Sequence, residues 1–307
     1  MLSEYPRVVV GVNSFVALVL QAVPFVLVGG VISAMVAVFI PSYVWARWLP
    51  KNKYCAVVVA AGCGLILPTC ECSSVSVAKR MMGSGVPPAV AVTMMLAAPS
   101  LNPLVMVATM TAFDGWSWAL IRMIASVVAV IGVGLCITWW GEKAFSSCMI
   151  QDASFVGDSG VVGSSVPARE VGVRWRQAVV VMHHDVGEAL GFLVLGAFFA
   201  SVTSSVIPSS VVMKLGDYLV LAVIVMGVLA MVYSLCSYGD SFVAASFVGV
   251  HPAGMVMFMT LGPILDVKLG VMMEGVLGSS ATRFLALTGF GMSVMSTFVI
   301  AGMLGWW

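Results

Sequence analysis

Residues 8–40 read VVVGVNSFVALVLQAVPFVLVGGVISAMVAVFI, 33 consecutive positions without a charged side chain. A helix crosses the hydrocarbon of a bilayer with about 20 apolar residues, so this stretch is long enough to span. It far exceeds the apolar core of a signal peptide and shows no convincing small-residue cleavage site, so it is expected to remain as a span. The rest of the 307-residue chain has the same character: 61% of it is hydrophobic and only 9% charged, with a mean hydropathy of +1.10. A soluble domain carries about 25% charged residues, and this chain could not cover a water-facing surface. A transmembrane β-barrel would instead show segments of alternating hydrophobicity. The formal net charge of +1 excludes the clustered Lys and Arg of a nucleic-acid footprint. The composition predicts an all-α polytopic membrane protein whose surroundings are the lipid bilayer.

Further apolar runs occupy 54–69, 73–86, 87–113, 115–140, 177–206, 218–236, 240–250, 252–276 and 284–305. Most can cross a membrane, but 54–69 and 73–86 reach only about 20–24 Å at 1.5 Å per residue. One polar stretch, Gly141 to Arg176, is rich in Ser and Gly and holds Glu142, Lys143, Asp152, Asp158, Arg169, Glu170, Arg174 and Arg176. It reads as a linker that separates a first transmembrane repeat, 1–140, from a second, 177–307, with 141–176 as a polar cytoplasmic segment.

The two parts share landmarks in the same order. Ile40-Pro41-Ser42 matches Ile207-Pro208-Ser209, Gly29 matches Gly196, and Gln21 falls on Glu188, all at an offset of 167. Cys70 matches Cys236 at 166, Pro87 matches Pro252 at 165, and Pro99-x-x-Asn102 matches Pro263-x-x-Asp266 at 164. An ordered set with so little drift points to duplication. If 54–69 and 73–86 form a re-entrant hairpin with Cys70-Glu71-Cys72 at its tip, each repeat has three spans plus one hairpin, and the second copy is inverted. Arg47, Lys51, Lys53, Lys79, Arg80, Lys143, Arg169, Arg174, Arg176 and Arg283 then share one face, and only Arg7 and Lys214 lie on the other. A continuous crossing in place of the hairpin would divide the same cations seven to five. Positive charge in short loops marks the cytoplasmic side, so the predicted arrangement is two inverted repeats with the N-terminus outside.

Polar residues at membrane depth gather at two matched places. The first is Pro68-Thr69-Cys70-Glu71-Cys72-Ser73-Ser74, paired with Cys236-Ser237-Tyr238-Gly239-Asp240. The second is Ala98-Pro99-Ser100-Leu101-Asn102-Pro103, paired with Gly262-Pro263-Ile264-Leu265-Asp266 and followed by Lys268. Proline removes a helix hydrogen bond, and unwound backbone in a membrane is tolerated only inside protein or against a cavity. Proline-broken helices meeting at the midplane are a solute-binding arrangement. An ionisable group at a helix centre costs about 2.5–3.5 kcal/mol on insertion scales, so Glu71, Asp240, Asp266 and Lys268 are expected to serve a purpose. Asp266 and Lys268 are two apart and would not face one another on a regular helix. Each therefore needs a partner elsewhere, or the break must bend them together.

Pro68-x-Cys-x-Cys-Ser, Ala97-Ala98-Pro99-Ser100-Leu101-Asn102-Pro103, Cys236-x-x-x-Asp-x-Phe-Val-Ala-Ala-Ser and Gly262-Pro263-x-x-Asp266-x-Lys268 resemble a bacterial family of predicted permeases that includes the efflux permeases for trivalent organoarsenicals. The resemblance covers nearly the whole chain outside the linker and termini and implies a multi-pass permease of the inner cell membrane. The arsenical branch carries a Thr-Cys-Ala-type motif, whereas Thr69-Cys70 is followed here by Glu71.

These readings predict a secondary permease, not an enzyme, that moves a small solute: a soft metalloid or thiol-reactive species, or a small anion. The expected binding residues are Cys70, Glu71, Cys72, Pro99, Asn102, Pro103, Cys236, Asp240, Pro263, Asp266 and Lys268. A proton carried by Glu71, Asp240 or Asp266 is the expected coupling ion, because burial favours a carboxyl's neutral form. Three thiolates from Cys70, Cys72 and Cys236 could hold a soft centre if the short helices beginning at Ser73 and Ser241 offset their charge, although cysteine in lipid also serves as a small packing residue. A redox protein using Cys70 and Cys72, or a passive channel, are the competing readings. No cofactor is expected: there is no nucleotide-binding motif, and none of the seven cysteines (55, 63, 70, 72, 136, 148, 236) forms Cys-x-x-Cys. A second copy of the chain is allowed as a partner. The 22 methionines read as packing, His183-His184-Asp185 as an interfacial group, Arg122 and Glu142 as snorkelling helix ends, and the paired tryptophans as interfacial anchors.

Overall fold

The computed structural model describes residues 50, 52–65, 71–83, 85–141, 145, 218–235, 237–247 and 249–306, with scattered helical positions between 12 and 31 and between 179 and 198. The first apolar run, the run 177–206 and nearly all of the linker, Glu142 included, therefore lie wholly or largely outside the described residues. Phe145, within the polar stretch, is a buried helical residue.

Among the described residues every regular element is a helix. Numbered from the first one described end to end, they are α1 (Lys53–Gly64), α2 (Glu71–Gly83), α3 (Pro88–Ser100), α4 (Pro103–Phe113), α5 (Trp116–Cys136, extended by a wider turn at Ile137–Gly141), α6 (Leu219–Tyr233), α7 (Ser237–Ser246), α8 (Pro252–Leu261), α9 (Val267–Leu277) and α10 (Ser279–Leu304). Pro88–Phe113, Trp116–Trp140 and Ser279–Leu304 are long and apolar enough to cross a membrane. The exposed stripe Val220, Ile224 and Val228 on α6, four residues apart, is a surface for lipid rather than water.

The two proline breaks are helix stops followed by capped restarts. Pro99 has no N–H for the preceding turn, α3 ends at Ser100, and Leu101 N–H closes on Ala97 O at 2.8 Å. Asn102 then leaves the helical conformation (φ −57°, ψ 132°), and its side chain accepts from Leu104 N–H at 2.9 Å, with Pro103 as the first residue of α4. In the second half a turn at 262–264 ends α8, and Asp266 (φ −134°, ψ 170°) caps α9 by accepting from Leu269 N–H. The matched polar positions Asn102 and Asp266 are thus both N-caps, which satisfy otherwise orphaned backbone donors. The run 252–276 is two helices, as the proline predicted. The structural register also replaces one sequence match: Pro88 and Pro252 are the first residues of α3 and α8, so Pro88 rather than Pro87 is the equivalent.

Packing follows the same correspondence. α1 and α2 lie on α3 as α6 and α7 lie on α8; α5 packs on α3 and α4 as α10 packs on α8 and α9. Across the halves, α5 meets α10, α4 meets α7, and α9 meets α2. α3 is buried at every position after Pro88, and α8 from Val256 to Leu261, so these two helices are the centre of the body. Small residues let the helices close up: a Cβ built on Gly64 would lie 2.3 Å from the Ala97 Cβ.

Candidate functional site

Among the described residues the short helices α2 and α7 already include Glu71 and Ser237, ahead of the starts expected at Ser73 and Ser241. The earlier starts put Glu71 and Asp240 into first turns, where the unpaired N–H groups of a helix favour negative charge. The two N-termini meet. Glu71 Oε1 accepts from Ser237 N–H at 3.1 Å and from the Ser237 hydroxyl, so a carboxylate of the first half caps the tip helix of the second. An anion at a helix N-terminus is a favourable pairing.

The other oxygen, Glu71 Oε2, lies 3.1 Å from Lys268 Nζ, and that ammonium lies 3.6 Å from Asp266 Oδ2. Asp266 and Lys268 do approach each other despite their spacing, because Asp266 is an extended cap and not a helical residue. Lys268 N–H donates to Ser234 Oγ at 3.2 Å. Glu71, Asp266 and Lys268 are at most 4% exposed. A buried charge is tolerable only when paired and hydrogen-bonded, and this triad meets that condition.

Arg122 corrects a sequence expectation. It is no snorkelling end: it has no exposed surface. From the middle of α5 its Nη1 donates to Thr109 Oγ1 at 3.0 Å and Ser241 Oγ at 2.6 Å, and its Nη2 donates to Ser237 O at 3.1 Å. The Thr109 and Ser241 hydroxyls are themselves 3.0 Å apart. Ser237 thereby joins both sets of contacts, with its N–H and hydroxyl on Glu71 and its carbonyl on Arg122. One polar chain runs Asp266, Lys268, Glu71, Ser237, Arg122, Ser241 and Thr109, through α9, α2, α7, α5 and α4.

Asp240, 2% exposed, lies beside this chain. Its carboxyl rests on bare backbone at the second break, since a Cβ on Gly262 would be 2.5 Å from Asp240 Oδ2. That oxygen has no hydrogen-bond partner among the described residues.

Of the residues singled out in the sequence, Glu71, Asp240, Asp266 and Lys268 come together. Pro99, Pro263 and Asn102 are buried at the breaks, and Pro103 is exposed at the start of α4. Cys70 and Cys236 lie outside the described residues; Cys72 belongs to α2, but its side chain is not among those described. Among the described residues no three His, Cys, Asp or Glu side chains are placed to hold a metal ion, and His183 is an exposed helical residue. Arg122, Ser237, Ser241, Thr109, Ser234 and Gly262 were not among the expected binding residues, although Ser237 and Gly262 stand in the matched polar stretches.

Residues 11–304 match a protein family described as a predicted permease. The chain is 29% identical over 292 residues to the UPF0718 protein YcgR of Bacillus subtilis, covering 94% of each. It is 26% identical over 272 residues to a Streptococcus mutans protein provisionally named a two-component membrane permease complex subunit, covering 85% of this chain and 84% of that one. No solved structure matches it.

Proposed function

The chain belongs to this predicted permease family, a family of membrane transporters, and from that premise we propose that it is a secondary permease of two inverted repeats in the inner cell membrane. The solute site lies where the tips of α2 and α7 meet the two proline breaks, near the midplane. One observation carries this reading: Glu71 at the tip of one half is bonded at once to Ser237 at the tip of the other and to Lys268 just past its break. A bundle that needed only to pack would have no reason to carry the insertion cost of those charges.

Three carboxylates, Glu71, Asp240 and Asp266, face two cations, Lys268 and Arg122, so the site carries one surplus negative charge when all five are ionised. That balance favours a neutral or cationic solute over the small anion. Cys70 and Cys72 flank Glu71, and Cys236 precedes Ser237, so all three thiol-bearing residues are chain neighbours of bonded groups. This supports a soft, thiol-reactive solute, because thiolates select soft centres. The surplus charge supports coupling to one proton. By analogy with the Streptococcus relative's name, a second subunit or a second copy is a reasonable partner.

The test begins with a thermal-shift screen of purified protein against soft cations, thiol-reactive metalloids and oxyanions, since a ligand that binds the folded state raises its stability. Flux of a hit into proteoliposomes should follow an imposed pH gradient and should be abolished by Glu71→Gln and by Lys268→Gln. Flux indifferent to the gradient would remove proton coupling, and full flux in both variants would remove the site.

A further inference from the structure

The five buried charges are not equivalent. Both Glu71 oxygens receive donors: Oε1 from Ser237, and Oε2 from Lys268 at 3.1 Å. Asp266 has Oδ1 on Leu269 N–H and Oδ2 3.6 Å from the Lys268 ammonium. Glu71 and Asp266 share the one ammonium, and these three side chains lock one another. Asp240 differs. Neither Oδ2 has a hydrogen-bond partner among the described residues. Asp266 Oδ2 keeps the Lys268 ammonium at 3.6 Å, whereas no ion pair reaches Asp240 Oδ2 among the described residues, though the residue is 2% exposed. An ionised oxygen left so is costly.

The charged groups that face Asp240 from the elements around it are Arg122, Glu71, Asp266 and Lys268, with Arg122 acting on it most strongly. The Arg122 hydrogen bonds to Thr109, Ser241 and Ser237 end on neutral oxygens, so they tie the guanidinium to α4 and α7 whether or not Asp240 is charged. Lys268, in contrast, is engaged by Glu71 and Asp266. With one proton on the cluster its formal charge is zero, and the carboxyl whose Oδ2 has neither hydrogen bond nor ion pair among the described residues is where that proton finds least competition from other donors.

We infer that Asp240 is the carboxyl that takes up and releases a single proton in this site, while Glu71, Asp266 and Lys268 form a fixed ionic lock between the two halves. The inference rests on the permease reading only for what the proton is used for. The Gly262 backbone against the carboxyl supplies the means: a shift of the α8–α9 break uncovers Oδ2, and a closed break keeps it from water. Arg122 is then a positioning residue that holds the first turn of α7 against α4 and α5.

The experiment is pH-difference infrared spectroscopy of the full chain in lipid, read in the high-frequency carbonyl-stretch region of protonated carboxyls shielded from water, apart from the bands of the solvated carboxyls. One band should appear on acidification of the unmodified protein, vanish in Asp240→Asn and persist in Glu71→Gln and Asp266→Asn. A band that survives in Asp240→Asn, or is lost only in Glu71→Gln or Asp266→Asn, overturns the assignment, as does the absence of any titrating band. Should Asp240→Asn not fold, the unmodified protein is treated with a hydrophobic carbodiimide, which reacts with protonated carboxyls, and the adduct is located by mass spectrometry. Modification of Asp240 supports the assignment; modification of Glu71 or Asp266 in its place, or of none of the three, overturns it. Both readouts are made without solute. A protein that transports nothing can still pass them, and a permease indifferent to protons will fail them.

Discussion

Arg122 donates from α5 to hydroxyls and a carbonyl on α4 and α7 and has no exposed surface. Arg122→Leu keeps the bulk but leaves Ser237 O, Thr109 and Ser241 without their donor and Asp240 without its strongest cation. Breaking a buried charged contact from one side costs about 3–5 kcal/mol, so the variant should lose that much stability, seen as a large drop in the thermal midpoint of the detergent-solubilised protein. Arg122→Lys should recover only part of it, because one ammonium cannot reproduce a fork that reaches two helices. A midpoint unchanged in Arg122→Leu would mean that the network carries no stability. The residue also marks where sequence reading ends. Glu71, Asp240, Asp266 and Lys268 are legible because charge in an apolar helix is conspicuous. Arg122 stands six positions after Trp116, and a long stem so close to an interfacial anchor is equally consistent with a side chain that climbs to the headgroups; two of its three partners, Ser237 and Ser241, lie more than a hundred residues away. The hydroxyls of Ser237, Ser241 and Thr109 cost little to insert, and nothing local marks them as neighbours of Arg122.

Helix packing depends on two kinds of glycine that the sequence does not distinguish. A Cβ on Gly64 would lie 2.3 Å from the Ala97 Cβ and 2.9 Å from the backbone of Ala97 and Ala98, whereas one on Gly62 would have nothing within 4 Å. Gly64→Ala must therefore push α1 off the central helix α3, at the cost of about 1–3 kcal/mol typical of overpacking. Gly62→Ala removes a flexible residue from an exposed helix position and should gain about 0.5–1 kcal/mol. Midpoints moving in opposite directions are the expected result; equal effects would mean that α1 does not pack on α3 this closely. The proline breaks were readable because proline has a fixed chemical consequence, and their exact partners Asn102 and Asp266 were found by matching the halves. The starts of α2 and α7 were not readable. Glu71 in α2 accepts from the Ser237 amide of the other half, and local composition carries no trace of that contact.

At the scale of the molecule, each described helix of one half has a counterpart with matching partners inside its own half, and the tip contacts between halves are reciprocal: the helix after each break lies on the tip helix of the other half, although α5 also packs on α8 more closely than α10 does on α3. Such reciprocity is what a two-fold axis between the halves would produce. With three spans and one re-entrant hairpin per half, that axis lies in the membrane plane and the copies are inverted; with the hairpin as a full crossing, the copies would be parallel. Cation placement separates the two, since only inversion puts ten of the twelve cations other than Arg122 and Lys268 on one side, and an imbalance of that size orients a chain. Single cysteines replacing the matched Ser42 and Ser209 in a background free of other cysteines test the choice with an impermeant maleimide, because matched positions lie on opposite sides of the membrane in inverted copies and on the same side in parallel ones. Ser42→Cys should be protected in intact cells and react after permeabilisation, while Ser209→Cys should react from outside. Labelling of both from the same side would rule out inversion, and with it the pseudo-symmetric site between the tips, because parallel copies would carry Glu71 and Asp240 into the membrane from the same face.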